Sequence, residues 1–223
     1  MTSSRNPRST KERAIPIASE GFLPIAVSAF VTVYLGALGF GVMALFFGAV
    51  TVFLGFFFRD PERETPEQAG MVVSPADGKV VEVGVVHGGE FASDEALKIS
   101  VFMSVFNVHV NRIPADGRVT EISYRPGKFF SANLDKASRD NERNAVTLEM
   151  AGGQSLTVVQ VAGLVARRIV CKVQDGDRLK RGERFGMICF GSRLDVYLPS
   201  DTKPAVSVGD KVLAGVSVLG HVT

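Results

Sequence analysis

The sequence contains no tryptophan, only two cysteines and only three histidines among its 223 residues. The two cysteines, Cys171 and Cys189, cannot form a disulfide framework or a four-cysteine zinc site, and we expect both to be reduced and buried. Three histidines are too few for a histidine-rich metal centre, so we predict no metal site, with His87 and His221 at the surface. The low numbers of cysteine and histidine argue against disulfide-rich and zinc-dependent classes of protein.

Net charge is also small, and it is confined to the start of the chain. The first 20 residues contain four basic and two acidic side chains: Arg5, Arg8, Lys11 and Arg13 with Glu12 and Glu20. Because the whole chain has 25 basic and 23 acidic residues, the other 203 residues carry 21 of each. A general nucleic-acid binder needs a basic face, so we predict no nucleic-acid partner.

Residues 21–58 form a run of 38 residues without a single charge. As one straight helix this run would be about 57 Å long, well beyond a hydrocarbon core of about 30 Å. Three glycines lie near its middle, at positions 36, 39 and 41. The pattern predicts two short helices, residues 22–38 and 40–58, folded as a membrane-associated hairpin. Each is short for a span, so shallow insertion stays open as an alternative to two crossings.

A secretory signal peptide is the competing interpretation of a basic start followed by an apolar stretch. Its apolar region would cover only about 7–15 residues, whereas this run is far longer. Basic residues flank both ends of the run, with Arg59 and Arg63 on its C-terminal side. Because positive flanks stay in the cytoplasm, a hairpin with both ends there predicts a catalytic body on the cytoplasmic side of the cell membrane.

Residues 59–69 are a polar linker with two prolines, and residues 70–223 have a different pattern. Short runs rich in Val and Ile alternate with turns that contain Gly, Asp and Pro. We predict strands at residues 79–85, 97–103, 118–123, 145–150 and 155–161. This spacing is typical of an antiparallel, mainly β body. The predicted fold is therefore a mainly β domain preceded by the basic segment 1–20 and an α-helical hairpin.

A weak internal repeat lies near the C-terminus. Residues 173–188 and 206–220 both contain a Gly-Asp turn, an apolar residue, a short gap, a Gly and then a strand. Biotinyl and lipoyl carrier domains use this rhythm, so the repeat predicts hammerhead-like strands. A shared strand pattern is a poor guide to function.

The dipeptide Gly191-Ser192 lies between two apolar runs, where a plain turn would be the usual interpretation. It is not a hydrolase nucleophile elbow, because Phe190 and Leu194 stand where that motif has glycines. In its context the chain resembles the short, bacterial and archaeal form of the phosphatidylserine decarboxylase proenzyme. The resemblance is carried, after the apolar N-terminal segment, by residues 57–63 (FFRDPER), 73–78 (VSPADG), 102–112 (FMSVFNVHVNR), 129–133 (FFSAN), 141–144 (NERN) and 191–192 (GS).

The resemblance implies a proenzyme that cuts its own chain between Gly191 and Ser192. The Ser192 hydroxyl would attack the preceding carbonyl and turn the peptide into an ester, a step that needs a base and a suitable turn. Ester elimination and hydrolysis would then leave a pyruvoyl group at residue 192, in place of pyridoxal phosphate. The products would be residues 1–191 and a 32-residue chain, 192–223, which would stay together as a heterodimer.

Asp77 and His109 match the other two members of the family's self-cleavage triad. Histidine has an unperturbed pKa near 6.5, which suits it to accept the Ser192 proton at neutral pH. The resemblance implies that Asp77 orients the ring of His109, as the acid does in serine hydrolases. From the pattern alone, Asp77 would be a turn residue and His109 an ordinary strand residue.

The resemblance further implies decarboxylation of phosphatidylserine to phosphatidylethanolamine and CO2, through a Schiff base between the pyruvoyl carbonyl and the substrate amine. His109 is the candidate for the later proton transfer. Some longer relatives have a second histidine where this chain has Phe106, so another donor such as water stays open. The sequence does not distinguish an ester-linked from an ether-linked archaeal serine lipid. It assigns no substrate-binding residue, and residues 141–144 suit a polar loop as well as a substrate contact.

A non-enzymatic alternative is a membrane-tethered carrier or adaptor of the biotinyl or lipoyl type. Lys136 lies in an Asp-Lys-Ala context that such carriers modify, although it is not centred between the two repeats. The predicted partners of the decarboxylase are instead a serine phospholipid, the membrane and the chain's own cleaved fragment. The sequence leaves a higher oligomer open.

Overall fold

The computed structural model describes residues 16–91, 95–127, 141–163, 169–189 and 191–222. Lys136 and residues 129–133, on which part of the sequence interpretation rests, lie outside these ranges. The chain divides into two compact units. One comprises residues 12–62 and contains the apolar run, and the other contains residues 63–223.

The first unit is a helical hairpin. Helix α1 spans Phe22–Ala37 and helix α2 spans Gly41–Phe57, preceded by a 3-10 turn at Ser19–Gly21. Each helix ends within one residue of its predicted bounds, because the intervening glycines interrupt the apolar run at the expected place. The stretch Ser19–Ala37 is long and apolar enough to cross a membrane, while Gly41–Phe57 is shorter.

Polar contacts join the two helices at mid-length. The Thr51 hydroxyl donates to Ser28 Oγ at 2.9 Å, and the Ser28 hydroxyl donates to the Phe47 carbonyl at 3.3 Å. Thr32 donates back to the Ser28 carbonyl at 2.8 Å. Such contacts satisfy hydroxyls within an apolar pair of helices. The most exposed large side chains of both helices are apolar: Leu23, Phe30, Val33, Val42, Leu45, Phe46 and Val52.

The second unit is built of antiparallel strands, as the sequence predicted. Its described strands are β1 Met71–Val73, β2 Gly78–His87, β3 Glu95–Met103, β4 Val110–Arg112, β5 Gly117–Arg125, β6 Arg143–Met150, β7 Ser155–Ala162, β8 Ile169–Cys171, β9 Arg178–Leu179, β10 Arg184–Ile188, β11 Ser192–Pro199, β12 Lys203–Pro204, β13 Lys211–Val212 and β14 Val218–His221. The five predicted strands correspond to β2, β3, β5, β6 and β7, with ends that differ by at most two residues.

The described strands form one large and two small sheets. The large sheet has the order β13-β2-β3-β11-β7-β6-β5-β9, and the small ones are β4-β10-β8 and β1-β14-β12. Along β3, Ile99 and Val101 face a core that also contains Phe185 of β10 and Leu219 of β14. Because side chains alternate along a strand, Lys98 lies on the opposite face of the large sheet. Neither cysteine forms a disulfide within the described residues, but each is only half-buried, so the expectation that both are buried was wrong.

The internal repeat is visible in matching hydrogen bonds. Gly176 N donates to Val119 O at 2.8 Å, and Val119 N donates to Asp177 O at 2.8 Å. In the second copy, Gly209 N donates to Val80 O and Val80 N donates to Asp210 O, both at 2.9 Å. Each Gly-Asp turn is thus fastened to the start of a long strand, β5 or β2. The likeness to carrier hammerheads stays a prediction.

Candidate active site

Ser192 is the first residue of β11, a central strand of the large sheet. It pairs with Met103 of β3 on one side and with Ala162 of β7 on the other. Its side chain is fully buried, and its hydroxyl has no hydrogen-bond partner within the described part of the chain. Gly191 before it has a φ of +62°, a left-handed conformation that glycine adopts without steric cost. The scissile peptide of the sequence interpretation therefore lies at a turn into a rigid strand.

Three strand ends meet at Ser192. Phe102, near the end of β3, pairs with Arg193 of β11 on one side and with Lys79 of β2 on the other. Asp77 directly precedes β2, so it lies at the same end of the sheet as Ser192, across β3. Adjacent strands are about 4.8 Å apart, which separates the backbones of Asp77 and Ser192 by about 10 Å. Gly78 permits this approach, because a Cβ there would lie 2.1 Å from the Phe102 carbonyl oxygen.

His109 lies in the segment that follows β3. This segment leads from Met103, the partner of Ser192, to the start of β4 at Val110. The His109 side chain is fully buried, and its Nδ1 lies 2.9 Å from the Asn107 carbonyl oxygen. The fold thus brings Asp77 and Ser192 to one end of the large sheet, and His109 lies in the segment that leaves this end, six residues after Met103.

A chain of buried amides lies beside Ser192, and none of its members is assigned a specific role from the sequence. Asn111 Nδ2 lies 3.8 Å from the sulfur of Met103, and Gln160 Nε2 donates to Asn111 Oδ1 at 2.9 Å. Asn144 Nδ2 in turn donates to Gln160 Oε1 at 3.0 Å. These contacts tie β4 to both neighbours of β11. Asn111 and Asn144 belong to the motifs quoted above, whereas Gln160 lies in an apolar strand with no such signal.

The carboxylate of Asp77 is held by two groups. Arg63 binds it in bidentate fashion, with Nη1 2.5 Å from Oδ1 and Nη2 2.8 Å from Oδ2. The backbone N–H of Ala214 also donates to Oδ1 at 2.8 Å. The pair is largely buried, with side-chain exposures of 10% for Arg63 and 5% for Asp77. From the sequence, Arg63 is a flanking charge and the last residue of the 57–63 motif, and nothing local to it points to a residue 14 positions away.

The contacts of Asp77 differ from the predicted arrangement in one respect. Within the described residues its carboxylate bonds to Arg63 and Ala214, and Nδ1 of His109 lies against the Asn107 carbonyl. Direct orientation of the His109 ring by Asp77 is therefore not among the described contacts.

The stretch 141–144 has structural contacts next to the serine. Asn141 is fully buried, and its Nδ2 donates to the carbonyl of Ala162, the residue paired with Ser192. Arg143 donates to the Glu90 carboxylate at 2.7 Å. These contacts support a hydrogen-bonding role, but Arg143 and Asn144 belong to strand β6 rather than to a loop, and the Asn141 bond fixes the end of β7 beside Ser192.

The opposite face of β11 carries buried charges. Arg193 forms an ion pair with Asp195, with Nε 2.8 Å from Oδ1, and both side chains are at most 3% exposed. Lys98 Nζ lies 2.6 Å from Glu82 Oε2 on the same face. Burial, reinforced by the negative charges of Asp195 and Glu82, raises the pKa of the Tyr197 hydroxyl well above its ordinary value. This face is distinct from the one that carries Ser192.

Comparison with known proteins gives a consistent match. A family model described as phosphatidylserine decarboxylase matches residues 50–220. The phosphatidylserine decarboxylase proenzyme of Geotalea uraniireducens (strain Rf4) is 50% identical over 210 residues, covering 94% of this chain and 98% of that protein. A protein with the same name from Syntrophus aciditrophicus (strain SB) is 57% identical over 170 residues, covering 76% of this chain and 80% of that protein. Another from Ruegeria pomeroyi (strain ATCC 700808 / DSM 15171 / DSS-3) is 53% identical over 207 residues, covering 92% of this chain and 94% of that protein. The chain belongs to the phosphatidylserine decarboxylase family.

Proposed function

We propose that this chain is a self-cleaving, pyruvoyl-dependent enzyme that converts phosphatidylserine to phosphatidylethanolamine and CO2. The observation that carries the proposal is the position of Gly191-Ser192. The dipeptide enters a central strand at the sheet end where Asp77 precedes β2 and from which the segment containing His109 leaves β3. Family membership supports the substrate and the reaction class.

In the proposed self-cleavage, the Ser192 hydroxyl attacks the carbonyl carbon of Gly191. His109 accepts the hydroxyl proton and returns it to the amide nitrogen, so that the C–N bond breaks as the ester C–O bond forms. Removal of the Cα proton of residue 192 then expels the Gly191 carboxylate and leaves a dehydroalanine. Its enamine takes up water and releases ammonia, which yields the pyruvoyl ketone at the new N-terminus.

Three features of the site suit this chemistry. The Ser192 hydroxyl makes no competing hydrogen bond within the described residues, so attack on the Gly191 carbonyl breaks none there. Burial excludes bulk water, which would otherwise compete for the ester. Pairing of β11 on both sides holds the nucleophile in place relative to the turn.

The pyruvoyl group would supply an electrophilic carbonyl for the substrate amine and a sink for the electrons released by loss of CO2. The residues at the described strand ends fit such a group, because residue 192 opens β11 in a buried polar neighbourhood. His109 is the candidate to deliver the proton that replaces CO2 on the substrate α-carbon. No metal or pyridoxal phosphate is part of the proposal.

The apolar hairpin supports membrane attachment, which suits a substrate whose acyl chains stay in the bilayer. We propose that the β unit lies on the cytoplasmic side, because basic residues flank both ends of the apolar run. After cleavage, the partner of residues 1–191 would be the fragment 192–223.

The proposal is tested on the purified full-length protein. Intact-mass analysis should show a 32-residue fragment with a pyruvoyl start, and the Ser192→Ala variant should stay uncut at 223 residues. His109→Ala should slow the cut by about 100-fold or more, as expected for loss of a general base. Borohydride together with phosphatidylserine should attach the lipid to the small fragment. A cut at this junction in Ser192→Ala would overturn the proposal.

A further inference from the structure

The contacts of Arg63 extend beyond the bidentate pair with Asp77. Its Nη1 also donates to the carbonyl oxygen of Ala214 at 2.8 Å, while the N–H of the same residue donates to Asp77. One guanidinium therefore clamps a carboxylate together with the backbone that supports it. A carboxylate as buried as Asp77 is costly without such a partner.

The fold contains a second copy of the same turn that serves as an internal comparison. Pro114-Ala115-Asp116-Gly117 repeats Pro75-Ala76-Asp77-Gly78, and each precedes a long strand, β5 or β2. Asp116 Oδ1 accepts a hydrogen bond from Arg181 N at 2.9 Å, just as Asp77 Oδ1 accepts one from Ala214 N at 2.8 Å. A backbone hydrogen bond to the aspartate carboxylate therefore occurs in both copies of the turn.

The two copies differ in the guanidinium. Asp116 is exposed, and within the described residues its carboxylate has no arginine side chain bound to it. Since this copy forms the turn with the backbone hydrogen bond alone, the turn does not require an arginine. The Arg63 clamp thus adds something specific to Asp77, the copy that lies at the end of β11.

We propose that Arg63 is a positioning residue for self-cleavage. It holds the Asp77 carboxylate in place at the end of the large sheet where β11 begins with Ser192, and it acts through Asp77 rather than on the scissile bond. This inference rests on the proposed self-cleavage. A small misplacement of a catalytic group can cost about 100-fold in rate, so loss of the clamp should slow maturation by about 10- to 100-fold.

The chain offers a matched control in Arg181. Its Nη1 donates to the carbonyls of Gln68 at 2.9 Å and Met71 at 2.7 Å, so it fastens the segment after Arg63 to the body without touching Asp77. Arg63→Ala and Arg181→Ala both remove an arginine that tethers this segment. Only Arg63→Ala removes the guanidinium partner of the Asp77 carboxylate.

The experiment follows the appearance of the 32-residue fragment by intact mass after full-length precursor is made in cell-free synthesis with lipid vesicles. We expect Arg63→Ala to mature about 10- to 100-fold more slowly than the parent chain, and Arg181→Ala to mature at the parent rate. Methylguanidinium in the buffer should restore much of the rate of Arg63→Ala and none of the rate of Asp77→Asn. Arg63→Lys should be intermediate, because an ammonium group cannot make the bidentate contact.

Maturation of Arg63→Ala at the parent rate would overturn the inference, as would equal slowing of both arginine variants or no rescue by methylguanidinium. If Arg63→Ala does not fold, Arg63→Lys decides, and its maturation at the parent rate has the same consequence. The parent chain and Ser192→Ala test the proposed function separately. Cleavage that is unaffected by Ser192→Ala rejects self-cleavage itself, whereas normal parent behaviour with a fast Arg63→Ala rejects only the role of Arg63.

Discussion

At the scale of single residues, the site contains a buried serine hydroxyl without a hydrogen-bond partner among the described residues. The Ser192 hydroxyl is buried and has no partner within the described residues. A buried, unsatisfied polar group costs about 1–3 kcal/mol, and folded proteins contain few of them. The neighbouring amides of Asn111 and Gln160 are hydrogen-bonded, so burial beside Ser192 does not by itself leave polar groups unsatisfied. A nucleophile that must leave its hydroxyl available accounts for this cost.

The two Pro-Ala-Asp-Gly turns give a prediction with its own control. Asp77→Asn keeps an oxygen for the Ala214 N–H but removes the charge that Arg63 binds, so self-cleavage should slow by at least about 100-fold. Asp116→Asn makes the same chemical change at the exposed copy and should leave the rate unchanged. Time courses of fragment formation, followed by denaturing electrophoresis, compare the two variants. Equal slowing in both would remove Asp77 from the cleavage mechanism.

The sequence predicted Ser192, His109 and Asp77 as site residues, since each lies in a motif whose order resembles a known family. It did not predict Arg63 or Gln160. Arg63 reaches Asp77 across 14 residues, and Gln160 reaches Asn111 across 49 residues. Contacts between distant positions depend on which strands become neighbours, and no local pattern of residue types encodes that choice.

At the scale of elements, β11 is the strand on which the site depends. It pairs with β3 along its whole length, from Ser192 to Pro199, and with β7 from Ser192 to Tyr197. The strands that follow it pair outside the fragment as well, β13 with β2 and β14 with β1. Residues 192–223 therefore contribute to two sheets whose other strands belong to residues 1–191.

This pairing predicts that cleavage does not release the small fragment. The cut breaks one peptide bond at the start of β11, while the ladder hydrogen bonds and the core contacts of Leu194 and Val196 remain. In native size-exclusion chromatography in detergent, both fragments should elute together, and only denaturant should separate them. Separate elution without denaturant would show that β11 is not held as the sheet implies.

The face of β11 that carries Asp195 and Tyr197 predicts an effect of pH on stability. Burial raises the pKa of the Tyr197 hydroxyl, with further contributions from Asp195 and Glu82. The folded state therefore keeps this proton where the unfolded chain loses it, so stability is complete below pH 10 and falls as the pH rises above it. In the uncut Ser192→Ala background, the free energy of unfolding should fall more steeply above pH 10 with Tyr197 than with Tyr197→Phe. Parallel pH curves from urea denaturation would contradict this.

The strands were easier to predict than their arrangement. Alternating apolar residues and flanking turns define β3 and β7 to within two residues. Their order in the sheet places β11 between them, although it is the eleventh of the described strands along the chain. That insertion brings Ser192 beside Met103, 89 positions earlier in the sequence, and only three-dimensional pairing reveals it.

At the scale of the whole molecule, the chain combines two units with opposite surface chemistry. The β unit buries most of its large apolar side chains in one main core, whereas the helical unit exposes most of its own. Val42 is 85% exposed, Leu45 77% and Val52 75%, in a hairpin whose polar contacts are turned inward, between the helices. An apolar exterior with a polar interior contact is the pattern expected for helices that lie in lipid.

This contrast predicts where a charge will disturb membrane binding. Leu45→Lys combined with Val52→Lys should shift the full-length protein from the vesicle-bound to the free fraction, because each lysine at the centre of an apolar helix costs about 2.5–3.5 kcal/mol on insertion scales. Val208→Lys provides the control, since Val208 is a 62% exposed apolar residue of the β unit. Vesicle flotation measures the bound fraction. If the hairpin variant floats as well as the control, the exposed apolar surface of the hairpin is not what attaches this protein to lipid.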